Sequence, residues 1–333
     1  MNIITVYTPL VSILIPVYKV EKYIERCARS VFEQTYENLE YIFVNDCTPD
    51  NSIQIVEQVL AEYPQRVSQV RIIDHEQNEG IAVARNSAIS NATGEFVFNI
   101  DSDDYIETDT IETLVNLQEQ TNADVVTGRM YINDDEIDPH YVEPFYQNKD
   151  KMLTTIVSDL WHHEMANRLV RRSLFIDHGI KALPYINIGE DWQLTAKVVY
   201  FADICVTADK YTYHYVYNPS SLVHSNTTWK RKKDELTQLN ASLMSLVEFF
   251  KGTKYESMIC SLFIQKESDY ISRSVINNDK DFFELCRSNI LAIPSKYHHR
   301  ISRTKLICFK SGYYVTCIAM SFNQLRRWLL SYL

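Results

Sequence analysis

Short apolar runs alternate with segments of helical apolar spacing through the first 130 residues, and this alternation leaves few folds open to the chain. Residues 11–17, Val-Ser-Ile-Leu-Ile-Pro-Val, have the pattern of a strand buried on both faces of a parallel sheet. Residues 21–35 carry one apolar stripe and predict a helix that packs on that sheet. The same patterns predict strands at 41–44, 70–73, 96–100 and 125–127 and helices at 51–63, 81–90 and 111–120. Elements in this order predict an α/β fold with an open, mainly parallel sheet flanked by helices.

Acidic residues follow two of the predicted strands. Asp46 comes after the strand at 41–44, and Asp101-Ser102-Asp103-Asp104 comes directly after the strand at 96–100. Right-handed crossovers bring the carboxyl ends of parallel strands to one edge of the sheet, where ligands of such sheets bind. We therefore expect these carboxylates to line a ligand site.

Asp101 and Asp103 are two residues apart, a spacing that lets both side chains face the same side at the end of a strand. Oxygen ligands of this kind suit Mg²⁺ or Mn²⁺, and an ion held by one or two carboxylates keeps open positions for substrate phosphates. The alternative is that Asp103 or Asp104 only caps the next helix. The spacing alone leaves both interpretations open.

Several other kinds of chemistry are disfavoured. Only 7 residues are glycine, and no two of them lie closer than ten positions apart, which excludes Gly-x-Gly-x-x-Gly and the Walker phosphate loop. No Gly-x-Ser-x-Gly elbow singles out a nucleophilic serine. The adjacent histidines at 162–163 and 298–299 cannot both reach one metal from a helix, which disfavours a zinc site there.

The cysteines and the hydropathy predict a cytoplasmic protein. The 7 cysteines include no Cys-x-x-Cys pair and fit reduced thiols. Residues 1–11 lack a basic stretch followed by an apolar core, so we expect no secretory signal. No window of 18 apolar residues exists, so no segment is predicted to span a bilayer.

The pattern changes twice along the rest of the chain. Residues 130–160 are polar, acidic and aromatic, and we expect them to be irregular and mobile. From residue 230 onward apolar residues recur at helical spacing. We predict one domain over 1–225, with halves meeting near residue 130, and a smaller, mainly helical region over 226–333.

Charge is distributed unevenly along the chain. The net charge is −10, yet no acidic residue follows Glu284. The basic residues beyond it are Arg287, Lys296, Arg300, Arg303, Lys305, Lys310, Arg326 and Arg327. The rest of the chain, with 25 basic and 43 acidic residues, carries −18. A separate basic block indicates an anionic surface as its partner.

The final residues combine this positive charge with an amphipathic pattern. Apolar residues recur at helical intervals at Ile318, Phe322, Leu325, Leu329 and Tyr332. One hypothesis is peripheral contact of residues 287–333 with an anionic membrane. The other is a helix packed on the larger domain with its arginines in solvent. Nucleic acid is a poor partner, because the acidic body would repel its phosphates.

Ordered blocks of the sequence resemble family 2 glycosyltransferases of the GT-A fold. These blocks are Val11–Tyr18, Ser30-Val31, Gln34–Tyr36, Val44–Ser52, Asn78–Gly80, Ala84–Asn86, Ala92–Glu95 and Asp101–Asp104. The resemblance is strong over 11–130, weaker over 161–222 and absent beyond 230. It implies a catalytic domain with a nucleotide-sugar half over 1–130 and an acceptor half over 131–225.

The resemblance also implies roles for individual residues around the donor. Pro16 and Tyr18 match residues that line the nucleobase pocket, and Asp46 matches the carboxylate that hydrogen-bonds the base. An acidic acceptor suits the N–H of uracil, with guanine and thymine as alternatives. Within the other matched blocks, the residues implied to bind the donor are Asn78, Arg85 and Asp101. Asp103, with Asp101 nearby, is implied to be the ligand of Mn²⁺ or Mg²⁺.

A later block, Ile188-Gly189-Glu190-Asp191-Trp192, resembles the Glu-Asp motif whose aspartate is the general base. An acceptor hydroxyl is a poor nucleophile and needs a positioned base to take its proton. Apart from the family, such a pair is typical of a helix N-terminus, where carboxylates complement the helix dipole. The two interpretations of Asp191 are compatible.

Two supporting blocks match the family less well. Arg168 stands where the family has lysine and is implied to meet the diphosphate, with a surface salt bridge as the alternative. Ser221 matches a serine that touches phosphate, but His214 stands where an arginine is common. His214 or His224 as a third metal ligand is a further idea.

The resemblance therefore implies an inverting, metal-dependent glycosyltransferase. We expect it to move a sugar from a nucleotide-sugar donor, with a UDP-sugar favoured, to a hydroxyl of a saccharide or lipid-linked saccharide. The setting we expect is the biosynthesis of a surface polysaccharide or glycolipid. The alternatives are a catalytically silent, membrane-associated protein that binds nucleotide sugars and a sugar nucleotidyltransferase.

Overall fold

The computed structural model describes residues 8–132, 136–137, 149–158, 164–219, 228–300 and 302–320. Two compact units divide the chain. The first comprises Met1–Ile156 with Leu160–Ser225, and the second comprises Val157–Asp159 with Asn226–Leu333.

The first unit contains the strands of the molecule. The described strands are β1 Val11–Val17, β2 Leu39–Asn45, β3 Val70–Asp74, β4 Phe96–Asn99, β5 Tyr105–Ile106, β6 Val125–Ile132, β7 Glu136–Ile137, β8 Arg168–Arg171 and β9 Cys205–Tyr215. Its helices are α1 Ile24–Phe32, α2 Ser52–Leu60, α3 Ile81–Asn91, α4 Thr110–Thr121, α5 Lys149–Val157, α6 Ser173–Asp177 and α7 Glu190–Phe201.

One sheet joins these strands in the order β3-β2-β1-β4-β8-β6-β9-β5, with β7 paired to β6. The pairs β3·β2, β2·β1, β1·β4 and β6·β9 are parallel, and β8, β5 and β7 run against their neighbours. The predicted α/β fold with a mainly parallel sheet is therefore confirmed.

Burial explains why the central strands read as continuous apolar runs. Every residue of β1 is buried, because β1 lies between β2 and β4 and both faces of the sheet are covered. Phe32 of α1 packs edge-on against Tyr41 of β2, with ring centroids 5.2 Å apart. This packing holds the amino-terminal half of the sheet rigid beneath its carboxyl edge.

The second unit is helical where it is described. Its helices are α8 Trp229–Phe249, α9 Glu256–Ile276, α10 Lys280–Ala292 and α11 Arg303–Ser311, and residues 313–320 are also helical. The predicted helical region beyond 226 thus has helices throughout the described ranges 228–300 and 302–320. No helix among the described residues is both long enough and apolar enough to cross a membrane.

The expectation of an irregular 130–160 segment is wrong in three places. Strand β6 continues to Ile132, Glu136–Ile137 pairs with it, and α5 occupies Lys149–Val157. Met152, Leu153 and Ile156 of α5 are buried, so this helix is held by packing that its mixed polar sequence does not reveal. The remaining residues of that segment lie outside the described ranges.

Candidate active site

The carboxyl ends of β1, β2 and β4 meet at one edge of the sheet. Val17 pairs with Asn45, and Leu14 pairs with Asn99, so the segments after these strands emerge side by side. Asp46 and Asp101 begin two of those segments, as the alternation of strands and helices predicted.

Asp46 is buried, and four hydrogen-bond donors surround its carboxylate. Oδ1 accepts from the Glu79 amide and contacts His75 Nδ1, both at 2.8 Å. Oδ2 accepts from Asn78 Nδ2 and from the Gly80 amide, again at 2.8 Å. A carboxylate offers about four lone-pair sites, so all of those on Asp46 are occupied. The carboxylate thereby holds the 75–80 turn against the end of β2.

The predicted nucleobase residues lie beside this turn. Pro16 is buried within β1, whereas Tyr18 is exposed just beyond it. Lys19 has a positive φ of 55°, and its amide donates to Thr48 Oγ1 at 2.8 Å, which fixes the backbone directly after Tyr18. Asn78 has an exposed side chain and is in contact with Asp46.

The turn at 101–104 is tied to the end of β9. The Tyr213 hydroxyl donates to Asp104 Oδ2 at 2.6 Å and accepts from the Asp101 amide at 3.1 Å. The Val216 amide donates to Asp104 Oδ1 at 2.8 Å. Asp104 therefore serves the structure of the turn, and Asp101 and Asp103 remain beside the edge of the sheet. Asn218 Nδ2 donates to Asp103 Oδ2 at 2.9 Å.

The charges at this turn fit a divalent cation. Burial, together with the charge of Asp101, raises the pKa of Asp103 above its ordinary value. A cation would remove this repulsion, and hard carboxylate oxygens match Mg²⁺ and Mn²⁺. Among the described residues no group of three or more His, Cys, Asp and Glu is arranged to hold a metal. The two carboxylates of Asp101 and Asp103 suit an ion that keeps open positions for other ligands.

Arg85 of α3 joins this turn to the start of α7. Its side chain is only 2% exposed, and Nη2 donates to Asp101 Oδ1 at 2.8 Å. The same Nη2 lies 3.3 Å from Asp191 Oδ1, and Nε lies 3.5 Å from Glu190 Oε1. One buried guanidinium thus faces three carboxylates, and their charges raise the pKa of Arg85.

The two carboxylates at the start of α7 differ in their surroundings. Glu190 is buried, and burial with the adjacent charge of Asp191 raises its pKa well above the ordinary value. Asp191 is more exposed, with 21% of its side chain accessible. Burial therefore makes Glu190 harder to ionise than an ordinary glutamate, whereas Asp191 lies where solvent or a substrate can reach it.

The segment before α7 is fastened to α3. Asn86 Nδ2 donates to the Ala182 carbonyl at 2.9 Å, and the Ala182 amide donates back to Asn86 Oδ1 at 3.0 Å. Asn187 Oδ1 accepts from the Ala82 amide at 3.3 Å. These contacts bring Asp191 close to Asp101, although the two are distant in sequence.

Arg168 corrects one prediction. Its side chain is buried, Nη1 donates to Thr127 Oγ1 at 2.7 Å, and Nε donates to the Glu164 carbonyl at 2.7 Å. The alternative of a surface salt bridge is wrong, because the guanidinium is inside the sheet layer. Contact of Arg168 with the diphosphate stays a prediction.

Three further residues predicted for the site are His214, Ser221 and His224. His214 Nε2 contacts Glu107 Oε1 at 2.6 Å, and its ring stacks on Tyr105 with centroids 4.1 Å apart. His214 is therefore engaged on the strand pair β5·β9, and its role as a metal ligand stays a prediction. Ser221 and His224 lie outside the described residues.

Four residues of the site were not assigned from the sequence: His75, Glu190, Tyr213 and Asn218. Glu190 stands within the recognised Glu-Asp block, so the block itself was a signal for it. Tyr213 and Asn218 stand in the weaker block that contains Ser221, so that block was a signal for them, but their partners Asp104 and Asp103 are more than 100 positions away in sequence. No local pattern carries that information.

Comparison with known families bears on this geometry. The family model described as Glycosyl transferase family 2 matches residues 12–179, half of the 333-residue chain. The chain belongs to glycosyl transferase family 2. The resemblance noted from the sequence blocks is thereby confirmed.

The uncharacterized glycosyltransferase EpsJ of Bacillus subtilis (strain 168) is 31% identical to this family 2 glycosyltransferase over 238 residues, which cover 69% of this chain and 67% of EpsJ. Three further relatives are matched over only 32%, 42% and 63% of their own lengths.

Solved structures agree with the fold. TarS residues 1–349 of S. aureus, in complex with UDP-GlcNAc, superimposes with a TM-score of 0.73 at 20% identity, covering 95% of this chain and 92% of that one. The mannosyltransferase PcManGT from Pyrobaculum calidifontis, in complex with GDP-Man and Mn²⁺, gives 0.53 at 17% identity, covering 94% and 87%. The predicted GT-A fold of this family 2 glycosyltransferase is confirmed.

Proposed function

We propose that this family 2 glycosyltransferase is a metal-dependent, inverting enzyme that moves a sugar from a nucleoside diphosphate donor to an acceptor hydroxyl. One observation carries the proposal: Arg85 lies within hydrogen-bond or ion-pair distance of both Asp101 and Asp191, at 2.8 and 3.3 Å. The carboxylate implied to bind the donor and the carboxylate implied to act as base are thus side by side at the carboxyl edge of the sheet.

The donor half of the proposal rests on Asp46, Asn78 and Tyr18. Asn78 supplies the exposed side-chain donor among the four around Asp46, so a base N–H can replace it with little rearrangement. Tyr18 is exposed beside this point and offers a ring face for a base. An acidic acceptor favours uracil, and the solved relatives that bind UDP-GlcNAc and GDP-Man support a nucleotide sugar in general.

Asp103 and Asp101 are the proposed ligands of Mn²⁺ or Mg²⁺. When bound, such an ion would offset the charge that develops on the leaving diphosphate, a contribution of several kcal/mol. Asn218 and Tyr213 orient the turn that presents these two carboxylates. The mannosyltransferase neighbour with Mn²⁺ supports this choice of ion.

Asp191 is the proposed general base. It is accessible to an acceptor, and the adjacent Arg85 cation favours its ionised form. Glu190, whose pKa is raised by burial, is the less accessible of the two carboxyl groups, which leaves Asp191 to face the acceptor. A single displacement assisted by one base needs no covalent intermediate and inverts the anomeric carbon.

The proposal also covers the acceptor and the location of the enzyme. We propose a hydroxyl of a saccharide or lipid-linked saccharide, in the assembly of a surface polysaccharide or glycolipid. The enzyme would work in the cytoplasm, with residues 287–333 in peripheral contact with an anionic membrane. We also propose that residues 1–225 form the catalytic domain.

The decisive experiment replaces the proposed base. Asp191→Asn should lower turnover by about 10²–10⁴-fold while donor binding persists, because the amide cannot accept the proton. Turnover is followed as nucleoside diphosphate release across a panel of nucleotide sugars with Mn²⁺. The exposed Asp203→Asn is the matched control and should retain full turnover.

Donor binding is measured separately, as metal-dependent thermal stabilisation by the same nucleotide sugars. Full turnover by Asp191→Asn would show that the base is a different residue. A wild-type protein that is stabilised by a nucleotide sugar yet never releases nucleoside diphosphate would favour the silent binding protein instead.

A further inference from the structure

Two short helices in the second unit, α11 and residues 313–320, are joined at Gly312 and contact the preceding helix. Tyr313 Oη donates to Asn278 Oδ1 at 2.8 Å, and Thr316 Oγ1 donates to the Cys308 carbonyl at 3.0 Å. Arg287 Nε donates to the Phe309 carbonyl at 2.7 Å, next to the end of α11. The inward side of this helix pair is thereby fixed on α10 and on the turn that precedes it.

The outward side of the pair is apolar and exposed. The exposed fractions are 63% for Ile307, 69% for Tyr314, 45% for Val315 and 58% for Ile318. Position 318 lies four residues after 314 and three after 315, so the three share one helix face. Contiguous exposed apolar side chains on a small surface mark a contact with a partner or a membrane.

Positive charge accompanies these apolar residues. Lys305 and Lys310 of α11 are exposed, and Lys280 Nζ lies 5.2 Å from the ring centroid of Tyr314. No acidic residue occurs anywhere in the chain after Glu284. Exposed apolar side chains, a tyrosine and exposed lysines are typical of a helix that lies in the headgroup region of an anionic bilayer.

We infer that the face formed by Ile307, Tyr314, Val315 and Ile318, with Lys305 and Lys310, docks on an anionic lipid bilayer. This inference rests on the proposed membrane contact and identifies the surface that makes it. A second copy of the chain is a poorer occupant, because a symmetric contact would set the same lysines against each other. Because no described helix can cross a membrane, the proposed contact is peripheral, at the membrane surface.

The test is vesicle flotation of the full chain. Wild type should float with vesicles of phosphatidylglycerol and phosphatidylcholine and should not float with phosphatidylcholine alone. The variant Tyr314→Ser/Val315→Ser/Ile318→Ser should lose about tenfold or more in partitioning, because it removes the apolar part of the face. Ile276→Ser, a residue 68% exposed at the end of α9, is the matched control and should float as wild type does.

Charge is tested by a second pair of variants. Lys305→Gln/Lys310→Gln should lose about 30-fold in partitioning into the anionic vesicles, since each of the two basic residues near such a surface contributes about 1 kcal/mol. The control Lys251→Gln, with an exposed lysine elsewhere in the unit, should lose little. All of these positions are exposed, so folding should be retained and is checked by thermal unfolding.

Three results would overturn the inference. They are no flotation of wild type, unchanged flotation of the triple variant, or a wild-type dimer that the triple variant converts to monomer in light scattering. Nucleoside diphosphate release without vesicles separates this inference from the proposed function. Wild type that floats but never turns over a donor would refute the glycosyl transfer alone, and an active wild type that never floats would refute the docking alone.

Discussion

At the scale of single residues, Arg85 is central to the geometry of the candidate site. It is buried, it faces Asp101, Glu190 and Asp191, and the sheet edge would carry uncompensated negative charge without it. Removing one partner of a buried ion pair typically costs about 3–5 kcal/mol, because the remaining charge stays buried. Arg85 therefore stabilises the site and sets the distance between its two halves.

Arg85→Lys should keep the fold but lower turnover by about 10²-fold. Lysine preserves the charge, yet its compact ammonium cannot contact three carboxylates at once, so Asp191 shifts relative to the donor. The measurement is nucleoside diphosphate release, with circular dichroism to check folding. Arg71→Lys, which alters an arginine paired with Glu40 away from the site, is the control. Equal turnover in both variants would mean that Arg85 does not position the base.

Asp46 shows how a buried carboxylate can organise a turn. Its four donors come from the 75–80 segment, and two of them are backbone amides. Such bonds to a charged acceptor are stronger than neutral ones. The turn therefore depends on Asp46 even before any base is bound, and His75 adds a contact between that turn and Ser87 of α3 at 2.9 Å.

At the scale of elements, the junction between the 75–80 turn and the segment before α7 depends on one glycine. Gly80 has φ 87° and ψ 166°, a conformation that is essentially restricted to glycine. A Cβ at this position would lie 2.3 Å from Asn187 Oδ1. The amino-terminal end of α3 can approach the 182–189 segment only because this side chain is absent.

Gly80→Ala should destabilise the protein by about 1–3 kcal/mol and weaken donor binding. The backbone strain disturbs the amide that donates to Asp46, and the added carbon displaces Asn187. Gly179→Ala is the matched control, because Gly179 also has a positive φ, 59°, but a Cβ there would meet nothing within 4 Å. Urea unfolding measures the loss of stability. Equal losses in the two variants would show that the contact with Asn187 is unimportant.

At the scale of the whole molecule, several buried carboxyl groups make stability depend on pH in the same direction. Burial is the first cause of the raised pKa of Asp103, Asp104, Glu190 and Glu267. A carboxyl with a higher pKa in the folded state binds more protons there than in the unfolded state. Stability therefore falls as the pH rises between the two pKa values.

Glu267 of α9 provides the cleanest test of this behaviour. It is fully buried, Asn289 Nδ2 lies 3.5 Å from its Oε1, and burial raises its pKa from 4.5 to about 8. Wild type should lose stability as the pH rises from about 4.5 to 8, by a few kcal/mol at about 1.4 kcal/mol per pKa unit.

Glu267→Gln should flatten that decline and be more stable than wild type at pH 9, since the amide needs no deprotonation. Urea unfolding at a series of pH values measures the difference. Glu248→Gln, at an exposed position, should follow the wild-type curve. A Glu267→Gln curve parallel to that of wild type would show that this carboxyl does not set the decline.

The local pattern of the sequence determined the strands β1 to β4, the helices between them and the carboxyl edge. A strand buried on both faces appears in the sequence as a continuous apolar run, and a helix buried on one face appears as apolar residues at helical spacing. It also identified the family, because matched blocks such as Val44–Ser52, Asn78–Gly80 and Asp101–Asp104 occur in order around the ends of those strands. The helix α5 escaped prediction, since its short polar-rich stretch gains stability from packing and not from its own pattern.

Tertiary structure alone decided which side chains meet at that edge. Arg85 lies between Asp101 and Asp191, Asn218 bonds to Asp103, and Arg168 is turned into the core. Each of these arrangements depends on strands and helices that are distant in sequence and become neighbours only when the sheet forms. Periodicity records whether a residue is buried, whereas the identity of its neighbour is set by the packing of the whole domain.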